Sequence, residues 1–184
     1  MNIRVEVICQ GTDGCEQRRE VLAIQRADLS METLGITLAE AKPLLKSAQN
    51  FIVAQQVEEH LQQQRACRHC GERHTSKESG NTEVNTMFGK VHVANPRWNR
   101  CTCQTEGPKT FRPTTRWLTG RTSPEMLYLE AKWASLIPFA KVVDLLKEVL
   151  PVTDSLNQET VRHHLQATAE RMEAELGEER QLHL

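Results

Sequence analysis

Apolar and polar residues alternate at the start of the chain, which is the pattern of a strand with one buried face. Ile3, Val5 and Val7 alternate with charged residues, and a second apolar run over residues 21–24 follows a turn signal at residues 11–14. Strand runs separated by a glycine-rich turn are typical of a β-hairpin. We therefore predict a hairpin at the N-terminus.

A helical repeat replaces this alternation from residue 38 onward. Thr37 followed by Glu40 is a capping-box signature, and the apolar stripe predicts a helix that ends near Gln64. Pro43 either kinks this helix or belongs to the first turn of a helix that begins near Lys42. Because the stripe is not a sustained heptad, packing on the chain's own hairpin is favoured over pairing with a second copy.

The helical repeat is lost over residues 65–121, where Gly, Pro, Thr and Asn become frequent. This composition predicts turns and short strands. Residues 83–88 and 90–94 flank Gly89 and predict a second hairpin.

Three further helices are predicted after residue 122. Ser123 caps the first, which runs to about Ile137, and the second covers residues 139–149 between two prolines. Asn157 caps the third helix. The apolar face of that helix consists of Val161, Leu165, Met172 and Leu176.

Composition places limits on this picture. The chain has 184 residues, 39% of them apolar and 4% aromatic, so its cores rest on aliphatic side chains. It shows neither a membrane span nor a signal peptide, and we expect a cytoplasmic protein without disulfides and without a membrane partner.

Charge is distributed unevenly along the chain. Residues 1–64 carry 6 basic and 9 acidic groups, residues 65–121 carry 11 and 4, and residues 122–184 carry 6 and 11. The net charges are therefore −3, +7 and −5. Two interpretations follow: a polyanion docks on the middle segment, or the acidic flanks neutralise that segment by internal packing.

The basic segment also holds two cysteine pairs, Cys67 with Cys70 and Cys101 with Cys103. Two close pairs can surround one tetrahedral zinc ion, and the first pair is followed by Gly71, as in a zinc knuckle. The second pair is one residue shorter than usual, so a histidine is an alternative fourth ligand. The histidines in question are His69, His74 and His92. The other interpretation is four reduced thiols in a core.

A closed set of four protein ligands predicts a structural ion and not a catalytic one. The flanks of Cys67 and Cys70 do not fit a thioredoxin-like redox site, and the His-x-Glu motif of zinc deaminases is absent. Cys9 and Cys15 are expected to be buried or semi-buried thiols in the hairpin, and Trp117 and Trp133 to be core anchors.

The pattern predicts an α+β fold in three parts. Residues 1–64 form a β-hairpin and a long amphipathic helix, residues 65–121 a basic zinc-ribbon-like β module, and residues 122–184 a three-helix segment with a helix-turn-helix-like order. The last helix either reads DNA bases or belongs to a plain three-helix packing module. Its base-reading residues would be Gln158, Thr160, Arg162 and His163.

Five stretches of the sequence together resemble the N-terminal part of bacterial insertion-sequence transposases of the Kra4 family. They are residues 33–42, Cys67-x-x-Cys70-Gly71, residues 87–91, residues 128–136 and residues 159–165. The resemblance implies that the zinc-binding and helix-turn-helix regions recognise the ends of the element. It also implies that an RNase H-like domain further along carries the catalytic acids, so we expect this chain to bind DNA without being an enzyme itself.

The physical mechanism expected from this resemblance is phosphate contact by basic side chains, with base reading by the last helix. The phosphate-binding residues would be Arg65, Arg68, Arg73, Lys77, Lys90, Arg97, Arg100 and Lys109. The expected partners are double-stranded DNA and a second copy or a full-length transposase, with the protein on the nucleoid when bound to DNA. The alternative is a zinc-stabilised protein-interaction or oligomerisation module.

Overall fold

A computed structural model describes residues 1–104 and 107–176 of the chain, with Leu176 described in its backbone only. Residues 177–184, which belong to the third predicted part, lie outside the described residues. Along the described chain the strands and α-helices are β1 Asn2–Gln10, β2 Glu16–Gln25, α1 Leu38–Gln64, β3 Ser76–Glu78, β4 Asn81–Thr86, β5 Gly89–Ala94, β6 Arg97–Asn99, β7 Thr110–Phe111, α2 Pro124–Ala134, α3 Phe139–Val149 and α4 Gln158–Leu176, with a short 3₁₀ helix at Met31–Thr33.

The N-terminal hairpin is confirmed. β1 and β2 pair antiparallel from Asn2 with Gln25 to Gln10 with Glu16, with an irregularity at Val5 and Glu6. β2 begins at Glu16, earlier than the apolar run predicted, because backbone pairing continues through the polar residues next to the turn.

The helix α1 begins where the capping box predicts. The amide of Glu40 donates to Thr37 Oγ1 at 3.3 Å, and the amide of Thr37 donates to Glu40 Oε2 at 3.0 Å. These bonds satisfy two amides at the helix start, so the alternative start near Lys42 is wrong and Pro43 lies inside the helix. Arg26, just after β2, donates to both Glu40 oxygens at 2.7 Å.

The packing of α1 on the N-terminal hairpin is also confirmed. Phe51 is buried, with the guanidinium of Arg19 at 5.7 Å from its ring centroid. Further along the helix, Val57 packs with Val91 and Val93 of β5. The helix therefore holds both hairpins of the molecule.

The second hairpin forms, but its strands differ from the prediction. Met87 and Phe88 are the two turn residues, and Gly89 opens β5 with a positive φ of 104°. Thr86 Oγ1 closes the turn by accepting from the Phe88 amide at 3.2 Å and donating to the Gly89 carbonyl at 2.8 Å. The predicted strand over residues 83–88 is therefore wrong at its end, because a polar hydroxyl stabilises a turn through two apolar residues.

The three C-terminal helices pack around one apolar core. Ser123 caps α2 and Asn157 Oδ1 caps α4 by accepting from the Thr160 amide at 3.0 Å. α2 ends at Ala134, before the predicted Ile137, because the amides of residues 136 and 137 turn back to the Trp133 carbonyl. The core consists of Met126, Val142, Val143, Leu146, Leu156 and Val161.

The two tryptophans differ in their surroundings. Trp133 packs against this core, as expected. Trp117 is 43% exposed, and its Nε1 donates to His60 Nε2 at 3.1 Å, so its prediction as a core anchor is wrong. An indole with a partner for its polar edge is stable at a surface.

Candidate metal centre and basic surface

The first cysteine pair lies on a tight loop directly after α1. The Gly71 amide donates to the Cys67 carbonyl at 2.8 Å, and the Cys67 amide donates to the Glu72 carbonyl at 2.8 Å. Gly71 has a φ of 76°, a left-handed conformation that glycine adopts without strain. This loop turns Cys67 and Cys70 toward the same side.

The second cysteine pair lies on the loop between β6 and β7. The Arg100 amide donates to the Lys109 carbonyl at 2.9 Å, which closes the base of the loop, and the Gln104 amide donates to the Cys101 carbonyl at 3.0 Å. β6 is the middle strand of a three-stranded antiparallel sheet with β3 and β7. The hairpin β4–β5 is not part of this sheet, so it is the short strands that bring the two loops together.

The four sulfur atoms meet at one point. Cys67 Sγ lies 3.6 Å from Cys103 Sγ, Cys70 Sγ lies 3.3 Å from Cys101 Sγ, and all four lie within 4.8 Å of one another. A tetrahedral ion with metal–sulfur bonds of about 2.3 Å needs sulfur separations of about 3.8 Å. The four thiols therefore fit a single metal ion.

The alternative interpretations of the cysteines are not met. Cys70 and Cys103 are exposed, so the thiols do not form a core. His74 is buried, but its Nδ1 lies 3.1 Å from the Asn99 carbonyl, and the cluster of possible ligands among the described residues contains cysteines alone. Cys9 is half-buried, as expected, whereas Cys15 is exposed, so its expected burial is wrong.

The surroundings of the sulfur atoms favour a thiolate at Cys67 first. The amides of Cys70 and His69 point to its sulfur and lower the pKa of Cys67 to about 6. The thiols of Cys101 and Cys70 raise the pKa of Cys103. The Glu72 amide lowers the pKa of Cys70, but the thiols of Cys101 and Cys67, with desolvation, leave it raised. A bound cation would lower the raised pKa values, because it would offset the repulsion among the four thiolates.

An aromatic cluster lies next to the two cysteine loops. The ring of His74 stacks on Trp98 at 6.3 Å and meets Phe111 edge-on at 4.9 Å. Arg65 places its guanidinium 4.9 Å from the centroid of the fully buried Trp98. Arg65, predicted to contact phosphate, therefore has a packing contact at this position.

The remaining cations predicted to bind phosphate divide into two groups. Arg73, Lys77, Arg97 and Lys109 are exposed and make no ion pair with any residue that the structure describes, and exposed Arg68 donates only to the neutral Gln64. Lys90 instead pairs with Glu83 at 2.8 Å, and half-buried Arg100 has contacts within the structure.

No ion pair between described residues joins the basic middle segment to either acidic flank. Every such pair lies within residues 1–64, within 65–121 or within 122–176. Direct ion pairs between described residues therefore do not neutralise the middle segment, and the interpretation that the flanks neutralise it by internal packing stays a prediction.

The predicted base-reading residues lie at the N-terminal end of α4. Gln158, Arg162 and His163 are exposed, and Thr160 is half-buried in the helix cap. Arg162 donates to both oxygens of Glu159, and His163 Nε2 lies 2.8 Å from the same carboxylate. Glu159 therefore engages two of the four side chains.

Sequence reasoning missed two features of this region. Arg116 and Arg121 are exposed basic residues of the middle segment that were not among the predicted phosphate-binding residues. Glu130 is buried and bonded to His164 of α4. The signal for Glu130 was its position four residues after Met126, on the face of α2 that packs into the core.

No protein-family model, curated protein or solved structure matches this chain. Among the described helices, none is long and apolar enough to span a bilayer.

Proposed function

We propose that this chain is a zinc-stabilised DNA-binding region of a Kra4-type insertion-sequence transposase, which recognises the ends of the element. The sequence resemblance supports the family, and four convergent cysteine sulfur atoms support zinc, the usual ion of such a set. The observation that carries the DNA-binding proposal is a group of exposed cations near the cysteine loops that make no ion pair with any residue the structure describes, namely Arg68, Arg73, Lys77, Arg97 and Lys109.

These cations would position the protein through phosphates, because salt-sensitive contacts to the backbone dominate the affinity of most DNA-binding proteins. α4 would add base contacts from its N-terminal turns, in a helix-turn-helix-like arrangement with α3. We expect α4 to contribute less to the affinity for DNA than the exposed cations do. In the unbound protein its Glu159 pairs with Arg162 and His163. Strand transfer would belong to a separate catalytic domain and not to these residues.

The experiment that tests this function measures binding of the zinc-loaded protein to labelled DNA from the flanks of its own gene, with scrambled duplex as control. We expect tighter binding to the flanks, a loss of that preference on chelation, and a steep fall in affinity with salt. Equal binding to both duplexes would reduce the proposal to a nonspecific basic surface. Absence of binding would reject it.

A second candidate function is a protein-interaction or oligomerisation module. The observation that favours it is the exposure of several large apolar side chains in the segment between β2 and α1, which include Leu29, Met31 and Leu34. Exposed apolar side chains that lie together on a surface are typical of interaction sites. Sedimentation would favour this module if the protein forms a stable dimer and DNA neither binds to it nor changes its mass.

A further inference from the structure

A groove of about 880 Å³ lies between the second hairpin and the C-terminal helices. Its walls come from α1, from β4 and β5, from the segment of residues 117–123, and from α2 and α4. Buried Val57, Val91 and Val93 are among its aliphatic residues. None of the four clustered cysteines lines it, so the groove is distinct from the candidate metal centre.

Two aromatic side chains line this groove and are exposed. Trp117 is 43% exposed and Tyr128 is 61% exposed, whereas every other Trp or Phe residue of the described chain is buried or half-buried. A single exposed ring is common at a protein surface, but here both exposed rings belong to one apolar groove. Large rings exposed together point to a ligand that covers them.

The hydrogen bond of Trp117 does not use the faces of its ring. The indole Nε1 donates to His60 Nε2 at 3.1 Å, at the edge of the indole, and the two ring planes are 89° apart. The backbone of Trp117 is also held, because its amide donates to the Thr114 carbonyl at 3.1 Å. Trp117 is therefore a positioned ring on which a flat ligand can stack.

Tyr128 combines an aromatic face with a cation. Lys132, one turn further along α2, places its ammonium 5.6 Å from the centroid of the Tyr128 ring. Both side chains are exposed. A ligand that stacks on Tyr128 therefore has a positive charge beside it, which favours an anion.

Further cations lie at the groove. Arg171 of α4 lines it, and no carboxylate does so among the residues that the structure describes. Arg171 faces Glu175 at 3.9 Å, but both side chains are exposed, and such a pair contributes little and is readily exchanged for a phosphate. Residues 114–123, which include one wall of the groove, add exposed Arg116 and Arg121 and contain no acidic residue. An aliphatic groove with exposed rings and cations matches a ligand that is flat, apolar on its faces and anionic.

We propose that this groove binds a short single strand of DNA or RNA, with unpaired bases stacked on Trp117 and Tyr128 and phosphates on the four cations beside them. Aromatic rings next to positive charge hold single strands in many proteins. Duplex DNA does not use such a groove, because its bases stack on one another and their faces are covered. The volume of about 880 Å³ lies within the roughly 300–1,000 Å³ of sites that enclose ligands of several rings. The inference does not rest on duplex binding by the cations near the cysteine loops.

The test is fluorescence anisotropy of the zinc-loaded protein with labelled oligo(dT) of about 15 nucleotides, a length within known single-strand site sizes. An abasic oligomer of the same length is the control, because it keeps every phosphate and has no base. We expect oligo(dT) to bind at least about tenfold more tightly, since each stacked base adds affinity. Equal affinities would overturn the proposal, because they would leave phosphate attraction alone. Oligo(rU) in parallel shows whether RNA or DNA is the preferred strand.

Variants in the two rings locate the site. Tyr128→Ala and Trp117→Ala should each weaken binding of oligo(dT) about fivefold or more and leave binding of the abasic oligomer unchanged. Trp117→Phe keeps an aromatic face, should lose less, and replaces Trp117→Ala if that variant does not fold. Leu136→Ala, at an exposed apolar residue just after α2 and outside the groove, is the matched control and should bind as the wild type does. Wild-type affinity in both ring variants would reject the groove as the binding site.

Binding to duplex DNA separates this inference from the proposed function. Arg97→Ala, which removes a cation near the cysteine loops, should weaken duplex binding and retain the preference for oligo(dT) over the abasic oligomer. A protein that binds oligo(dT) through Trp117 and Tyr128 but binds no duplex would reject the proposed function and keep the groove site. A protein that binds the flanking duplex but has no preference for bases would do the reverse.

Discussion

Exposure distinguishes the cysteines of the metal cluster from ordinary core thiols. Cysteine without a ligand behaves as a small apolar residue and is commonly buried. Here Cys70 and Cys103 are exposed, and yet their sulfur atoms converge with those of Cys67 and Cys101. Convergence at a surface has no packing explanation, which is why a metal ion is the better account of these four residues.

Replacing one ligand should therefore remove the ion. We expect Cys70→Ser to lower bound zinc from about one ion per chain to well under half, and to destabilise the protein by at least about 3 kcal/mol, because metal-binding energy contributes to folding. Elemental analysis and thermal unfolding measure the two effects. Cys15→Ser, at an exposed thiol outside the cluster, is the control and should change neither. A Cys70→Ser protein with a full equivalent of zinc would contradict the assignment.

Glu40 makes a second prediction at this scale, through pH. Hydrogen bonds from Arg26 and then from Thr37 lower the pKa of Glu40 from 4.5 to about 2. Because the folded-state pKa is the lower one, this stabilisation is fully present above about pH 4.5 and is lost as the pH falls toward 2.

Glu40→Gln should accordingly flatten the dependence of the free energy of unfolding on pH between 4.5 and 2. Denaturant titrations across that range measure the slope. Glu148→Gln, at an exposed site of α3, should keep the wild-type slope. If both variants follow the wild type, the ion pair between Arg26 and Glu40 does not persist in solution.

At the scale of elements, local signals predicted the helices better than the strands. Thr37, Ser123 and Asn157 mark helix starts because a cap is a bond between residues two or three apart. β3, β6 and β7 escaped prediction because each has only two or three residues, too few for an alternating pattern. Their pairing depends on partners far along the chain, which no local window contains.

The strand β6 carries a prediction about phosphate binding. Arg97→Ala should weaken binding to any DNA sequence and lower the slope of log affinity against log salt by about 0.9, the value expected for one phosphate contact. Fluorescence anisotropy over a salt series measures both. Lys141→Ala, an exposed cation of α3 that faces Asp144, is the matched control. Unchanged affinity and slope in Arg97→Ala would exclude β6 from the DNA interface.

A further prediction concerns α4, where Glu159 pairs with Arg162 and His163 in the unbound protein. Glu159→Gln should strengthen DNA binding about threefold to tenfold, since it removes a repulsive charge and releases two donors. Glu173→Gln, near the other end of the same helix, should have a smaller effect. Equal affinities for wild type and Glu159→Gln would place the N-terminal turns of α4 away from the DNA.

At the scale of the whole molecule, the sequence predicted which residues form the metal cluster but not what surrounds it. Four cysteines with short spacings have few arrangements, so their convergence was predictable. The sequence did not predict which cations have partners within the protein. The contact of Arg65 with Trp98 and the ion pair of Lys90 with Glu83 exist only in the folded chain. The position of the β4–β5 hairpin on α1, outside the sheet of the cysteine loops, likewise depends on long-range packing.

The four-cysteine cluster and the C-terminal core have no residue in common, so we expect a variant in one to spare the other. Leu146 is fully buried among α2, α3 and α4. We expect Leu146→Ala to cost about 2–5 kcal/mol of unfolding free energy. Bound zinc should stay at one equivalent by elemental analysis, in contrast to Cys70→Ser. Loss of zinc in Leu146→Ala would show instead that the two parts unfold as one unit.

The contact of α1 with β5 also has a consequence during synthesis on the ribosome. Val57 leaves the ribosome before Val91 and Val93, its partners in the folded protein. At roughly 5–20 residues per second, translation from Val57 to Val91 takes about 2–7 s. During that interval the C-terminal half of α1 lacks its packing partner β5. The apolar side chains of that half are then exposed, and chaperones can bind them. Slowing translation between these positions would lengthen that interval and lower the yield of folded protein.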